Sequence, residues 1–172
     1  MTKTEQIAYH EAAHAVAAIR LRRYVYEGFV TIVPQGAVLG QSHIDSASAL
    51  LLDDPVYDGP EEIEAAIVEL LAGYFGSVRA GCQRAKAKAG SWGDDKEAAD
   101  LLELIGRKRS TFRRRAERFV EREWSAIVAV AQELLAHETL DMFEVSFIAD
   151  VTRPQALVEL AEYRRARDAA AS

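Results

Sequence analysis

The sequence predicts a mainly α fold, a single helical domain with one small β-hairpin, and three observations carry that expectation. Residues 4–22 are rich in Ala, Ile, Val and Leu and contain no Gly or Pro. β-Branched residues concentrate in one short run, Phe29-Val30-Thr31-Ile32-Val33, which stops at Pro34. Helix-start signals recur elsewhere, as at Pro60-Glu61-Glu62.

Taken in order, Thr2 and Glu5 have capping-box spacing and open the first helix, 4–22. Residues 29–34 form a short strand, Gln35-Gly36 a turn, and 38–43 a second extended segment. A loop with a short helical turn covers 45–60 and closes on Asp58-Gly59-Pro60. A second helix runs from Pro60 to about Ala80, its first-turn acids facing the positive helix end. Gly81, Gly90 and Gly93 make 81–93 a loop with a basic helical turn. A third helix is expected from Asp94 or Asp95 to Gly106, a long charged fourth over 110–137, and a short fifth from Thr139-Leu140-Asp141 to Asp150. Pro154 opens a last helix, with a frayed Ala-rich end over about 165–172. No repeat or long linker divides the chain, so 1–172 reads as one domain.

The chain has 172 residues, enough to bury a core without covalent staples. A formal charge of −6 argues against a general nucleic-acid binder. No stretch reaches the ~18 apolar residues of a membrane span, and Glu5, His10, Glu11 and His14 interrupt any signal-peptide core. A lone Cys82 cannot form an internal disulfide. A cytoplasmic protein with no membrane or nucleic-acid partner is expected.

The chemistry concentrates in His10-Glu11-Ala12-Ala13-His14. Residues four apart share a helix face, so both imidazoles can point at one ion, and two neutral imidazoles suit zinc. Glu11 adjoins the first histidine, where its carboxylate can take a proton from a water that the ion activates. A catalytic zinc usually has three protein ligands. Neither His43 nor His137 has a clear claim to the third place. A carboxylate is expected, and spacing alone does not choose it.

Four blocks then resemble, in order, the peptidase domain of FtsH-type AAA metalloproteases. His10–Ala18, H-E-A-A-H-A-V-A-A, is similar to that family's H-E-A-G-H-A-V helix, with Ala13 in place of Gly. Val30–Gly36 with Leu39-Gly40 resembles its V-T-I-I-P-R-G…L-G strand and turn. Leu71-Ala72-Gly73 resembles the start of L-A-G-R-A-A-E-E, and 89–99, with Gly93-Asp94-Asp95, resembles G-A-x-N-D-L. His137-Glu138-Thr139-Leu140 is a looser match to E-K-E-T-L. The resemblance covers nearly the whole chain. It implies a zinc endopeptidase acting on proteins or peptides, with Asp95 as third ligand and Asp94 in the Asn position, free to cap a helix. The chain departs from the pattern at Tyr74-Phe75-Gly76-Ser77-Val78, which lacks the acidic groups, and at Lys96. No ATPase segment precedes the motif, so the resemblance implies a separate ATPase (unfoldase) partner or assembly into a homo-oligomer. The competing reading is a catalytically inactive, zinc-stabilised binding or adaptor module.

Three further features have sequence readings. The 29–34 strand is a candidate edge for strand addition by an extended substrate. Trp92 adds a large ring near the expected third ligand, which can shape a substrate pocket or simply pack the loop. Arg107, Lys108, Arg109, Arg113, Arg114, Arg115 and Arg118 form a basic cluster, read as a solvated helix with ion pairs at helical spacing.

Overall fold

A computed structural model of the chain describes residues 1–21, 28–34, 41–44, 60–150, 153 and 155–170, with 41–44 described by backbone alone. The Gln35-Gly36 turn, Leu39-Gly40, the 45–59 loop, Pro154 and the side chain of His43 lie outside the described residues. The elements are α1 (Lys3–Leu21), β1 (Gly28–Thr31), β2 (Gln41–Ile44), α2 (Pro60–Arg79), α3 (Arg84–Gly90), α4 (Trp92–Leu104), α5 (Arg109–Arg122), α6 (Trp124–His137), β3 (Thr139–Asp141), α7 (Met142–Ala149) and α8 (Ala156–Ala170). The fold is mainly α with a small antiparallel β element, as the composition of the segments predicts.

Helix α1 is the axis of the molecule. The Thr2–Glu5 capping box forms, with Glu5 N–H donating to Thr2 Oγ1 at 3.1 Å and Thr2 N–H to the Glu5 carboxylate at 2.6 Å. Ala8, Ala12, Ala13 and the run from Ala15 to Ala18 are fully buried, because α2, α6, α7 and the sheet pack around this helix. Small side chains let those neighbours come close. At the tightest point, a Cβ added to Gly76 of α2 would lie 2.6 Å from Ala13 Cβ and 2.9 Å from the Tyr9 carbonyl oxygen. The core continues through Ile67 and Leu71 of α2, Phe112 of α5, Ile127, Val130 and Leu134 of α6, and Leu140, Met142 and Val145.

The expected antiparallel pair forms, and a third short strand joins it. β1 pairs antiparallel with β2, Phe29 opposite His43, and with β3, Val30 opposite Leu140, giving the order β2-β1-β3. Residues 139–141 therefore extend a sheet, whereas the sequence reading placed them in a helix. Leu140 is buried on the pleat, and Glu138, at φ 64, turns the chain out of α6 into it. Asp141 then caps α7 through a capping box with Glu144. Because β1 is central, both its edges are filled, so this strand cannot accept a substrate strand as expected.

Other boundaries also differ. The expected 110–137 helix is two helices that meet at Glu123, where no Gly or Pro marks the break. Glu123 holds φ −91 and ψ 13, and its carboxylate meets Arg122 at 2.8 Å and Arg20 of α1 at 3.5 Å. The basic turn of 81–93 is a seven-residue helix, α3. The end expected to fray from about 165 remains helical to Ala170. There Arg164 and Arg167 reach the buried Glu144 at 2.6 and 3.0 Å, and Arg167 also reaches Asp141 at 3.2 Å. The basic cluster pairs with other helices more than along its own: Arg115 and Arg107 meet Glu64 of α2, and Arg109 and Arg113 meet Asp95 of α4. No helix among the described residues is long and apolar enough to cross a membrane.

Candidate metal centre

Helical spacing brings His10 and His14 onto one face of α1, with Nε2 atoms 3.1 Å apart. The first turn of α4 brings Asp94 to meet them. Its Oδ2 lies 3.1 Å from His10 Nε2 and 3.5 Å from His14 Nε2. These three atoms are the one candidate ligand group of its kind among the described residues. Ligands about 2.0–2.1 Å from a tetrahedral zinc lie about 3.3 Å apart, so the three contacts match one face of such a tetrahedron. Asp94 Oδ2 is buried and accepts no hydrogen bond from the described residues despite its two nitrogen neighbours. A buried carboxylate oxygen and two imidazole nitrogens gathered on one point need a shared positive charge, which a proton on His14 supplies without a metal and a bound cation would supply in its place.

Asp95, expected as the third ligand, is not in this group. It faces away from the histidines and meets Arg109 at 2.5 Å and Arg113 at 3.9 Å. The cause is where α4 begins. Trp92 is its first residue and Asp95 N–H bonds to the Ser91 carbonyl at 2.9 Å. Asp94 is thus already helical and does not serve as a cap. One further residue is about 100° further round the helix, which carries Asp95 to the opposite neighbour, α5.

Helix α2 orients the rings. His14 Nδ1 donates to the Glu69 carbonyl at 2.9 Å, which leaves Nε2 as the coordinating nitrogen of the neutral ring. Ser77 Oγ, fully buried, lies 3.5 Å from His10 Nδ1, on the block where the expected acidic groups are missing. Gly73 makes room. A Cβ there would lie 2.7 Å from His10 Cε1 and 2.8 Å from His14 Cε1, and closer still to His14 Nε2. The sequence reading made Asp94 a helix cap beside an Asp95 ligand, and it gave Gly73 and Ser77 no role at the site. Gly73 alone left a signal, since a mid-helix glycine costs about 1 kcal/mol against alanine and calls for a packing reason. Gly73→Ala should accordingly keep α2 and lower zinc affinity by about 10- to 100-fold, the range for losing support to a ligand. Metal titration checks this, and an unchanged affinity would show that the rings need not sit where they do.

The charges are coupled. Burial works against the charged form of His14, but the Asp94 carboxylate, helped by Glu11 and Glu69, outweighs it and raises the pKa to about 9 without a metal. Burial likewise opposes ionisation of Asp94, yet the charge on His14, with His10, holds its carboxyl well below the usual carboxylate range. His14 binds its proton more tightly folded than unfolded. Its contribution to metal-free stability is therefore full below about pH 6.5 and is lost as pH rises through about 9. It amounts to roughly 3 kcal/mol at most. Denaturant unfolding of metal-free protein at pH 6 and pH 9.5 should show this fall, and Asp94→Asn should flatten it. Zinc needs neutral His14, so binding at neutral pH should also release a proton.

The centre borders a cleft of about 1210 Å³, whose lining includes His10 and Glu11 of α1 and Trp92, Gly93 and Asp94 of the first turn of α4. Glu11 is 7% exposed and lines this cleft together with His10 and Asp94. Scanned against protein-family models and searched against curated proteins, the chain matches none.

Proposed function

We propose that this chain is a zinc-dependent endopeptidase whose metal is held by His10, His14 and Asp94. The observation that carries this reading is the triangle of two Nε2 atoms and Asp94 Oδ2, at 3.1, 3.1 and 3.5 Å, opening on a cleft that Glu11 also lines. Three protein ligands and an open fourth direction are the pattern of a catalytic zinc, whereas structural sites are closed by a fourth side chain.

Zinc bound there supplies Lewis acidity, which brings water within reach of ionisation near neutral pH and polarises an amide carbonyl. Glu11 is the general base: it takes the proton of the attacking water and returns it to the leaving amine. The Glu69 carbonyl and Ser77 hold the imidazoles in their coordinating orientation, and Gly73 keeps the space around them clear. The resemblance to the FtsH-type peptidase helix gains support from one reciprocal change. The family pattern has Gly at position 13 and Ala at position 76; here Ala13 faces Gly76, and their Cβ atoms could not both fit.

The test is metal-dependent proteolysis. An unfolded protein substrate should be cleaved by the zinc-loaded chain, spared after chelation, and cleaved again once one equivalent of zinc is restored. Cleavage that persists in metal-free protein would sink the reading.

A further inference from the structure

The cleft beside the metal centre has an uneven charge. Lys3, Ile7, His10 and Glu11 follow one face of α1 along it, and Lys86 of α3 lies in its wall. Among its described lining residues, the acids are Glu11 and Asp94, both at the metal centre; away from it the charged side chains are Lys3 and Lys86. Both lysines are exposed, and neither makes an ion pair with a described residue, in contrast to Arg107, Arg109, Arg113 and Arg115. In a chain of net charge −6, two cations without an ion-pair partner among the described residues line the cleft. Trp92, 71% exposed two residues before Asp94, adds an apolar ring that contacts side chains with little sequence preference.

Building on the peptidase reading, we propose that the cleft selects acidic peptides, with a carboxylate side chain about three residues from the scissile bond. The spacing follows from helix geometry. Seven residues separate Lys3 from His10, about 10 Å along α1 at 1.5 Å per residue. An extended peptide covers that distance in about three residues. The lysines attract the carboxylate and steer it along the cleft, while the two acids at the centre stay offset by the metal.

The test uses two fluorogenic peptides with one cleavable bond, identical except for Glu or Lys at the third residue on each side. The zinc-loaded chain should show kcat/KM about three- to tenfold higher for the Glu peptide at low salt, from two exposed charge pairs. The difference should collapse near 1 M salt, where the Debye length is about 3 Å. Lys3→Glu/Lys86→Glu should reverse the preference at unchanged zinc content, and Trp92→Ala should weaken both peptides alike. Binding of the same peptides to zinc-loaded Glu11→Gln, followed by fluorescence anisotropy, reads the preference without turnover. Equal kcat/KM and equal binding, or binding of neither peptide, overturns the proposal. No cleavage by the parent chain, with tighter binding of the Glu peptide, leaves the acidic-peptide cleft standing and removes the peptidase reading instead.

Discussion

Asp94→Ala should lower zinc affinity by at least about 100-fold, while Asp95→Ala should change it by less than about tenfold. The two residues are neighbours of the same type, so the contrast isolates geometry from charge. Asp94 Oδ2 sits 3.1 and 3.5 Å from the Nε2 atoms of His10 and His14, and its loss would leave a zinc there with two imidazoles where a catalytic zinc takes three protein ligands. Asp95 is committed to Arg109 and Arg113, on side chains that are 17%, 42% and 34% exposed. Removing that partly solvated pair should cost about 1 kcal/mol of stability and loosen the joint between α4 and α5. Metal titration with a competing chelator separates the cases. A larger loss from Asp95→Ala would place the metal against the other face of α4.

Glu11→Gln should retain one zinc per chain and lose about 10²–10⁴-fold in kcat, the range for removing a general base. Gln has nearly the shape of Glu, and Glu11 is 7% exposed within a helix whose neighbours are fully buried alanines, so the fold and the two histidines should stay in place. The amide cannot take the proton. A variant that cleaves as fast as the parent while holding zinc would remove Glu11 from the mechanism. One that loses zinc as well would mean that Glu11 supports the ligands.

The motif and its helix were legible because H-E-x-x-H encodes its own geometry. The two histidines lie one turn apart on a helix whose start is marked by Thr2 and Glu5, and the Nε2 atoms meet at 3.1 Å. The carboxylate of the candidate site was legible only through the family resemblance of the Gly93-Asp94-Asp95 segment, which pointed to Asp95 where the structure brings Asp94. Its identity depends on where α4 starts, and Ser91 gives no side-chain cap to mark that point. The split at Glu123 was hidden for a related reason: long-range pairing of Glu123 with Arg20 accompanies it, and no local breaker does. Thr139-Leu140-Asp141 was misread because a three-residue strand is defined by its partner β1 more than by its own pattern. Gly73 and Gly76 show only in three dimensions what they make room for, namely the imidazoles and Ala13.

Metal content combined with X-ray absorption at the zinc edge reads the coordination shell of His10, His14 and Asp94 itself. The expected result is one zinc per chain with two imidazole nitrogens and at least one oxygen at about 2.0–2.2 Å, and one oxygen fewer or no zinc at all in Asp94→Ala. No bound zinc in the parent chain, a sulfur neighbour at about 2.3 Å, or a shell closed by four protein side chains would contradict it.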